Sequence, residues 1–209
     1  MSTIRLAGTS KPQTTSKSEA TRRRLVEAAR KLFTEQGFEK TSVTQIAKAA
    51  GVTHSLINAY FGGKAGLIYA VLHDFNQAQI DEINETVKLE GSTLERIRMV
   101  LHNWARHNLS DRQLNSIMQA YSWQWPMETE MQNRAQVRDA LRPIIETLQL
   151  GIESGELRED LNIDDTLYII LAIYKEGMRQ AIFDDVTPEE AEKRVLNRIG
   201  LLMDGLRRR

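Results

Sequence analysis

The stretch that decides the fold is TSVTQIAKAAGVTHSLINAYFGGKAGL, residues 41–67. Ser42 and Gln45 have the spacing of a capping box, in which two side chains bind free backbone amides at the start of a helix. The helix that they open is short, because Gly51 follows soon and favours a helix end. After this turn, a second short helix is predicted over His54–Tyr60. A helix, a tight turn and a second short helix form the pattern of a helix-turn-helix.

The apolar positions around this stretch predict how the unit packs. The first short helix turns Ile46, Ala47 and Ala50 inward, and the second turns Ile57 and Phe61 toward its neighbours, with Thr53 in the N-cap position. Upstream, apolar residues recur at helical spacing between Ser18 and Gly37. They predict an amphipathic helix with one buried stripe, made of Leu25, Ala28, Ala29, Leu32 and Phe33. We therefore expect a three-helix unit.

The net charge of zero hides two halves of opposite sign. Residues 1–64 contain 11 Lys and Arg against 4 acidic residues, a balance of +7, and residues 65–209 contain 17 against 24, a balance of −7. Residues 1–17 lack apolar periodicity and are predicted to be a disordered basic arm. The positive half is suited to a polyanion such as DNA, although a solvated helix face beside a loose terminus has the same composition.

Several functional classes find no support in the sequence. The chain has no cysteine, and no His-Glu-x-x-His pattern occurs, so we expect no metal and no cofactor. His102 and His107 are five residues apart, which places them on different sides of a helix. No catalytic constellation is visible, and an enzyme is not expected. The longest apolar run, Leu167–Tyr174, falls short of the roughly 18 residues that span a bilayer, and a cytoplasmic protein is expected.

The deciding stretch resembles the N-terminal domain of the TetR family of repressors. Residues 41–53 and 57–67 carry the resemblance, since the cap, the turn, the aromatic pair and Lys64 all have the family spacing. The resemblance extends over residues 19–72. It implies a homodimer that binds a palindromic operator in double-stranded DNA and responds to a small-molecule effector.

The resemblance also implies which residues contact DNA. Two of them resemble family residues that meet the phosphate backbone: Tyr60 and Lys64. Further phosphate or base contacts are implied at Thr41, Thr44 and Thr53, and the face expected to meet base edges carries His54, Ser55 and Asn58. Asn58 and Ala59 depart from the residues that are frequent in the family, so the operator sequence stays open.

Beyond Lys64 the sequence predicts helices throughout, with neither a strand pattern nor a Gly-rich phosphate loop. The first runs from Lys64 to about Leu89, and the next two follow caps at Ser92 and Asp111. Another extends from about Thr129 to Gly155, and Pro143 should kink or divide it. The last two are predicted over Asp164–Phe183 and from Pro188 to about Arg207.

The last two helices are the predicted dimer interface. The run Leu167–Tyr174 is apolar on every side, so its helix needs cover from two directions, either a partner subunit or a central position in a monomer core. The family resemblance favours the partner. The predicted contacts are Leu167, Ile170, Leu196, Ile199, Leu202, Met203 and Leu206.

Aromatic residues of the body are the candidate effector site. They are Trp104, Tyr121, Trp123, Trp125 and Tyr174, with Met118 nearby. Rings that share one cavity between helices suit an apolar, aromatic or cationic effector. The same residues are equally suited to a plain core, because aromatic side chains dominate packing.

The sequence thus predicts an all-α protein of about nine helices: a helix-turn-helix DNA-binding domain over residues 18–64 and a helical effector-binding and dimerisation domain over residues 65–209. The expected function is ligand-responsive transcription regulation, with repression favoured. The alternative is a helix-turn-helix protein that acts through protein contacts, or an activator without a small-molecule effector.

Overall fold

The computed structural model describes residues 16–86, 90–121, 127–184 and 186–207. Within these ranges the chain forms helices and one isolated β-bridge, between Leu157 and Arg207. The nine helices are α1 (Ser16–Gln36), α2 (Val43–Ala50), α3 (Ser55–Phe61), α4 (Lys64–Thr86), α5 (Thr93–Ser110), α6 (Arg112–Tyr121), α7 (Met127–Glu153), α8 (Ile163–Phe183) and α9 (Pro188–Leu206). The all-α prediction is confirmed.

Several helices begin at side-chain caps. The predicted capping box of Ser42 and Gln45 opens α2, and the predicted cap Ser92 forms a second capping box with Glu95 that opens α5. Thr187 caps α9 through the amide of Glu190. These side chains bind amides that have no partner within their helices.

Two helix ends and one helix interior differ in detail from the predictions. The N-cap of α3 is His54 without a side-chain cap bond, and the hydroxyl of Thr53 lies 3.0 Å from that of Ser55 instead. Pro143 is predicted to kink or divide its helix; it does not divide it, because α7 continues through the proline, and the kink stays a prediction. Buried side chains on both sides of the proline, Leu141 and Ile144, hold the helix against the core. The predicted arm falls largely on residues 1–15, outside the described residues, and α1 already begins at Ser16.

The first of two apolar clusters, here called the N-terminal core, combines α1–α3 with parts of α4 and α6. The predicted stripe of α1 contributes Leu25, Ala29 and Phe33, and α3 contributes Ile57. The remaining members come from α1, from α2, from the first half of α4 and from α6: Val26, Ile46, Ala47, Ala50, Leu67, Ile68, Ala70, Val71, Leu72, Phe75, Leu114 and Ile117. The predicted domain boundary after Lys64 stays a prediction, but this core crosses it.

The second cluster, here called the C-terminal core, packs α5, α7, α8 and α9 against the end of α4. Its centre includes Ile97 and Leu101 of α5, Ile144 of α7, Ile170 of α8 and Ile199 of α9, all at most 1% exposed. No helix among the described residues is long and apolar enough to cross a membrane. The two cores meet along α4 and α6, which therefore connect the two ends of the molecule.

The junction between α3 and α4 requires a glycine at position 66. A Cβ atom placed on Gly66 would lie 1.8 Å from the carbonyl oxygen of Phe61, at the end of α3. Because that neighbour is backbone, it cannot move without shifting α3. Gly66 therefore permits the close approach that sets the angle between α3 and α4.

We predict that Gly66→Ala lowers the free energy of unfolding by about 2 kcal/mol, because the added methyl overpacks this junction. Gly200→Ala in α9 is the matched control, since its Cβ would meet only the end of the Arg98 side chain at 3.8 Å. This control should leave stability unchanged or raise it by up to about 1 kcal/mol through helix propensity. Denaturant unfolding followed by circular dichroism measures both. Equal effects would contradict the role given to Gly66.

Candidate nucleic-acid interface

The α2–α3 turn presents α3 on the surface. Gly51 adopts a left-handed conformation with φ 65°, and the amide of Val52 donates to the carbonyl of Ala47 at 3.0 Å. The chain thereby reverses direction within a few residues. Ile57 anchors α3 in the N-terminal core, fully buried, which leaves the opposite face of this short helix in solvent.

The exposed face of α3 carries the side chains predicted to read bases. His54, Ser55 and Asn58 are all exposed there. Thr53, which follows the turn, and Thr44, in the first turn of α2, are exposed as well. These five polar side chains are exposed to solvent, and their contacts with DNA stay a prediction.

Thr41 differs from its prediction. Its side chain is 2% exposed, and its hydroxyl donates to the carbonyl of Gly37 at 2.7 Å while it accepts from the amide of Gln36 at 3.1 Å. A hydroxyl engaged in this way cannot also reach a DNA backbone. Thr41 instead ties the end of α1 to the start of α2.

Tyr60 and Lys64 occupy the far end of α3. The hydroxyl of Tyr60 lies 3.1 Å from that of Ser18, near the start of α1. The ammonium nitrogen of Lys64 lies 4.1 Å from the centroid of the Phe38 ring, a cation–π distance. Both side chains are half-buried, so their polar ends are held near the surface by aromatic and hydroxyl contacts.

Positive charge from α1 flanks the same end of α3. Arg22, Arg23 and Arg24 are exposed, and the guanidinium of Arg22 lies 5.5 Å from the centroid of the Phe61 ring. From sequence alone, these arginines count only toward the positive balance of residues 1–64. The contact with Phe61 places Arg22 beside α3, where it can meet a phosphate.

The predicted aromatic site is split between the two cores. Trp104 and Tyr174 lie together in the C-terminal core, with ring centroids 5.4 Å apart. Met118 and Tyr121 pack instead against the N-terminal core, where Tyr121 meets the Phe38 ring edge-on at 4.6 Å. Trp123 and Trp125 lie outside the described residues. The prediction that Met118 and Tyr121 share a cavity with Trp104 is therefore wrong.

Tyr121 bonds to the loop that follows α1. Its hydroxyl donates to a carboxylate oxygen of Glu39 at 2.9 Å. Burial and the neighbouring Glu39 carboxylate raise the pKa of Tyr121 to about 12, so it stays a hydrogen-bond donor at neutral pH. This contact joins the end of α6 to α1 beside the ring that holds Lys64.

Most predicted dimer contacts are core residues of the single chain. Leu167, Ile170, Ile199 and Met203 are buried, and the partly buried Leu196, Leu202 and Leu206 pack against the same core. The exposed apolar side chains of α8 and α9 are different ones: Tyr168 at 74%, Ile169 at 46%, Phe183 at 66% and Leu201 at 75%. The two helices predicted to form the dimer interface do carry an exposed apolar surface. The residues that form it are not the predicted ones, although several are their neighbours in the sequence.

The described residues hold no group of three or more His, Asp or Glu side chains arranged to bind a metal ion. The surface around α3 contains hydrogen-bonding and cationic groups.

Comparison with known proteins agrees with this geometry. Residues 25–71 match the family model described as bacterial regulatory proteins, tetR family. The fatty acid metabolism regulator protein of Bacillus subtilis (strain 168) is 23% identical over 161 residues, 77% of this chain and 83% of that protein. The HTH-type transcriptional regulator HbdR of Aromatoleum sp. (strain CIB) is 34% identical over 103 residues, 49% of this chain and 44% of that protein.

A solved structure shares the fold along most of the chain. It is the transcriptional regulator FadR from Bacillus subtilis in complex with stearoyl-CoA, with a TM-score of 0.71 and 22% identity, covering 84% of this chain and 95% of that chain. The matched segment, residues 25–71, contains α2, α3 and the Gly66 junction. Residues 25–71 of this chain are therefore similar to the tetR family of bacterial regulatory proteins.

Proposed function

We propose that the protein represses transcription in the cytoplasm by binding a palindromic operator as a homodimer, and that an effector bound in its body releases it. It acts by recognition and not as an enzyme. The observation that carries this proposal is the exposed polar face of α3, fixed by the buried Ile57 and flanked by Arg22 and Lys64. A short helix held in this way fits the major groove of DNA.

The DNA contacts divide into two kinds. Asn58, Ser55 and His54 are assigned to base edges, because asparagine pairs well with adenine and all three occupy the exposed face of α3. Backbone contacts are assigned to Tyr60 and Lys64, and further contacts to Thr44 and Thr53. Phosphate contacts set the position of the protein on the duplex, while base contacts select the sequence.

The proposed dimer uses α8 and α9. Tyr168 and Ile169 of α8 and Leu201 of α9 expose large apolar side chains on helices that pack against each other. A second copy that covers this surface by two-fold symmetry would form a four-helix contact. The same symmetry would present two α3 helices to the two halves of a palindrome.

The proposed effector is an acyl thioester, by analogy with the stearoyl-CoA complex of the Bacillus subtilis protein. In the C-terminal core, α5, α7 and α8 pack apolar side chains against one another, and an acyl chain suits such surroundings. Effector binding can shift DNA affinity only by its different affinity for the two states of the protein, typically about 1–3 kcal/mol of coupling.

Transmission of this signal is assigned to α4 and α6. Arg112 of α6 donates to the carbonyl of Ala181 in α8, while Asp111, next to it, accepts a bond from Thr34 of α1 at 3.0 Å. His107 of α5 donates to the carbonyl of Phe75 in α4 at 3.0 Å, and burial lowers the pKa of its ring. A displacement of α8 would therefore reach α1 through short, direct contacts.

Removing Lys64 should weaken binding to every DNA sequence alike, because its contact is with the backbone. Lys64→Ala should lower the slope of log affinity against log salt by about 0.9, whereas Asn58→Ala should change the preferred base at one position. Lys31→Ala is the control, since Lys31 is exposed on α1 and lies 3.9 Å from Glu35. Fluorescence anisotropy with an operator selected from a random DNA pool measures all three.

These measurements distinguish a backbone contact by Lys64 from base recognition by Asn58. A change in preferred sequence on Lys64→Ala, with an unchanged salt slope, would contradict the assignment. If Lys31→Ala lowers the slope of log affinity against log salt as much as Lys64→Ala does, the overall positive charge, and not the position of Lys64, is responsible for the change in slope.

Leu201→Glu should convert the dimer to a monomer, because the interface would bury an unpaired charge at a cost of about 3 kcal/mol or more. Met131→Glu is the control, as Met131 is an equally exposed apolar residue on α7, outside the proposed interface. Sedimentation velocity at micromolar concentration reads out both. A Leu201→Glu dimer as stable as the unmodified one would remove this part of α9 from the interface.

A further inference from the structure

Three polar side chains meet inside the C-terminal core. The amide nitrogen of Asn108 in α5 donates to the hydroxyl of Tyr174 in α8 at 2.6 Å. Trp104, one turn earlier on α5, meets the Tyr174 ring edge-on at 5.4 Å. The three residues are only 4%, 6% and 4% exposed for Asn108, Tyr174 and Trp104 respectively.

This group has unsatisfied hydrogen-bonding capacity. The indole nitrogen of Trp104 and the side-chain oxygen of Asn108 have no partner in the described structure. Turning the Asn108 amide over would let the Tyr174 hydroxyl donate to the oxygen, but would strand the amide nitrogen instead. In either orientation the Trp104 N–H donor stays unused, together with a further donor from the Tyr174–Asn108 pair.

Stability of the fold does not explain these polar groups. A buried donor or acceptor without a partner destabilises a protein, and apolar side chains of the same shape would avoid that cost. Other buried polar side chains of the body vary in this respect. Gln79 donates to the carbonyl of Trp104, and Thr147 donates to that of Pro143 at 2.7 Å, whereas Asn103 and Asn115 also have side-chain atoms without a partner in the described structure. Unused polar groups that persist in a packed core call for a partner from outside the chain.

The surroundings restrict the charge of such a partner. The buried polar residues of the described chain are threonine, asparagine and glutamine, and no carboxylate, ammonium or guanidinium is buried among them. A charged ligand group placed beside Trp104 would thus lose its hydration without gaining a buried counter-charge. Two donors without a charge match a carbonyl oxygen, which accepts two hydrogen bonds.

We propose that Trp104, Asn108 and Tyr174 bind the neutral carbonyl group of the effector, which is an acyl ester or thioester and neither a free carboxylate nor a quaternary ammonium compound. This inference rests on the proposed ligand-responsive function and specifies its effector. The acyl chain would displace apolar side chains between α5 and α8, and the carbonyl would supply the acceptor that Trp104 lacks.

Three probes of equal acyl or alkyl length test the ligand class on the full-length protein. They are S-octanoyl-N-acetylcysteamine as the neutral thioester, octanoate as the anion and octyltrimethylammonium as the cation. Isothermal titration calorimetry measures their affinities, and operator release is followed by fluorescence anisotropy. We expect the thioester to bind at least about tenfold more tightly than either charged probe and to release the operator. A charged probe that binds as tightly as the thioester, or failure of the thioester to bind, would overturn the proposal.

The variant Asn108→Leu/Tyr174→Phe tests the residues. It should bind the thioester about tenfold more weakly, since up to two hydrogen bonds to the carbonyl are lost, yet its Tm should equal or exceed that of the original protein. Thr147→Val, which removes a buried hydroxyl that has a partner, is the matched control and should lower the Tm without changing thioester affinity. Unchanged thioester affinity in the double variant, or a fall in its Tm as large as that of Thr147→Val, would mean that the polar pair is structural.

Failure of the proposed carbonyl-binding site can be distinguished from failure of the proposed regulatory function. Retained operator binding in the absence of any probe leaves the regulator assignment intact whatever the probes do. If the original protein selects no DNA sequence from a random pool, the regulator assignment itself fails.

Discussion

The structure depends on one shared core between the helix-turn-helix and the helices that follow it. α2 and α3 have 8 and 7 residues, too few to bury their apolar faces against each other and α1 alone. The first half of α4 completes that core with Leu67 and Val71, and α6 completes it with Leu114 and Ile117. The position of α3 is therefore set by helices whose other contacts lie in the body.

Because α4 and α6 belong to the N-terminal core, they also connect the proposed DNA-binding surface to the C-terminal core. Because packed side chains move together, a shift of α4 or α6 changes the surface against which α1–α3 pack. Tyr121 is the most direct contact of this kind, since it touches both Glu39 and Phe38, and Phe38 holds the Lys64 ammonium group. An effector that displaces α8 thus acts on residues that are assigned to phosphate contact without touching them.

Local signals explain why the helices were predictable from sequence and the interfaces were not. Ser42 and Gln45, Ser92 and Glu95, and Thr187 before Pro188 specify helix starts within a few residues, so they are readable without tertiary structure. The proposed dimer surface lacks such a signal, because α8 is apolar on all sides near Leu167–Tyr174. Only the packing of the single chain decides that Leu167 and Ile170 turn inward while Tyr168 and Ile169 remain exposed.

Two predicted site residues also depend on long-range contacts that the sequence alone does not reveal. Thr41 is next to Ser42 in sequence, but only the folded chain reveals that carbonyls of α1 and its following loop engage its hydroxyl. Tyr121 is 17 residues from Trp104 in the chain, yet α6 directs it to the opposite core. The unpaired polar atoms of Trp104 and Asn108 have no sequence signature, because satisfaction of a hydrogen bond depends on distant helices.

Hydrogen exchange of the α2 and α3 amides in a Leu114→Ala variant tests the shared core most directly. Leu114 lies on α6 and is fully buried in the N-terminal core, and Ile144→Ala makes a comparable truncation in the C-terminal core. If α6 completes the core of the helix-turn-helix, Leu114→Ala will accelerate exchange in α2 and α3 far more than Ile144→Ala does. Equal protection of α2 and α3 in the two variants would contradict the account.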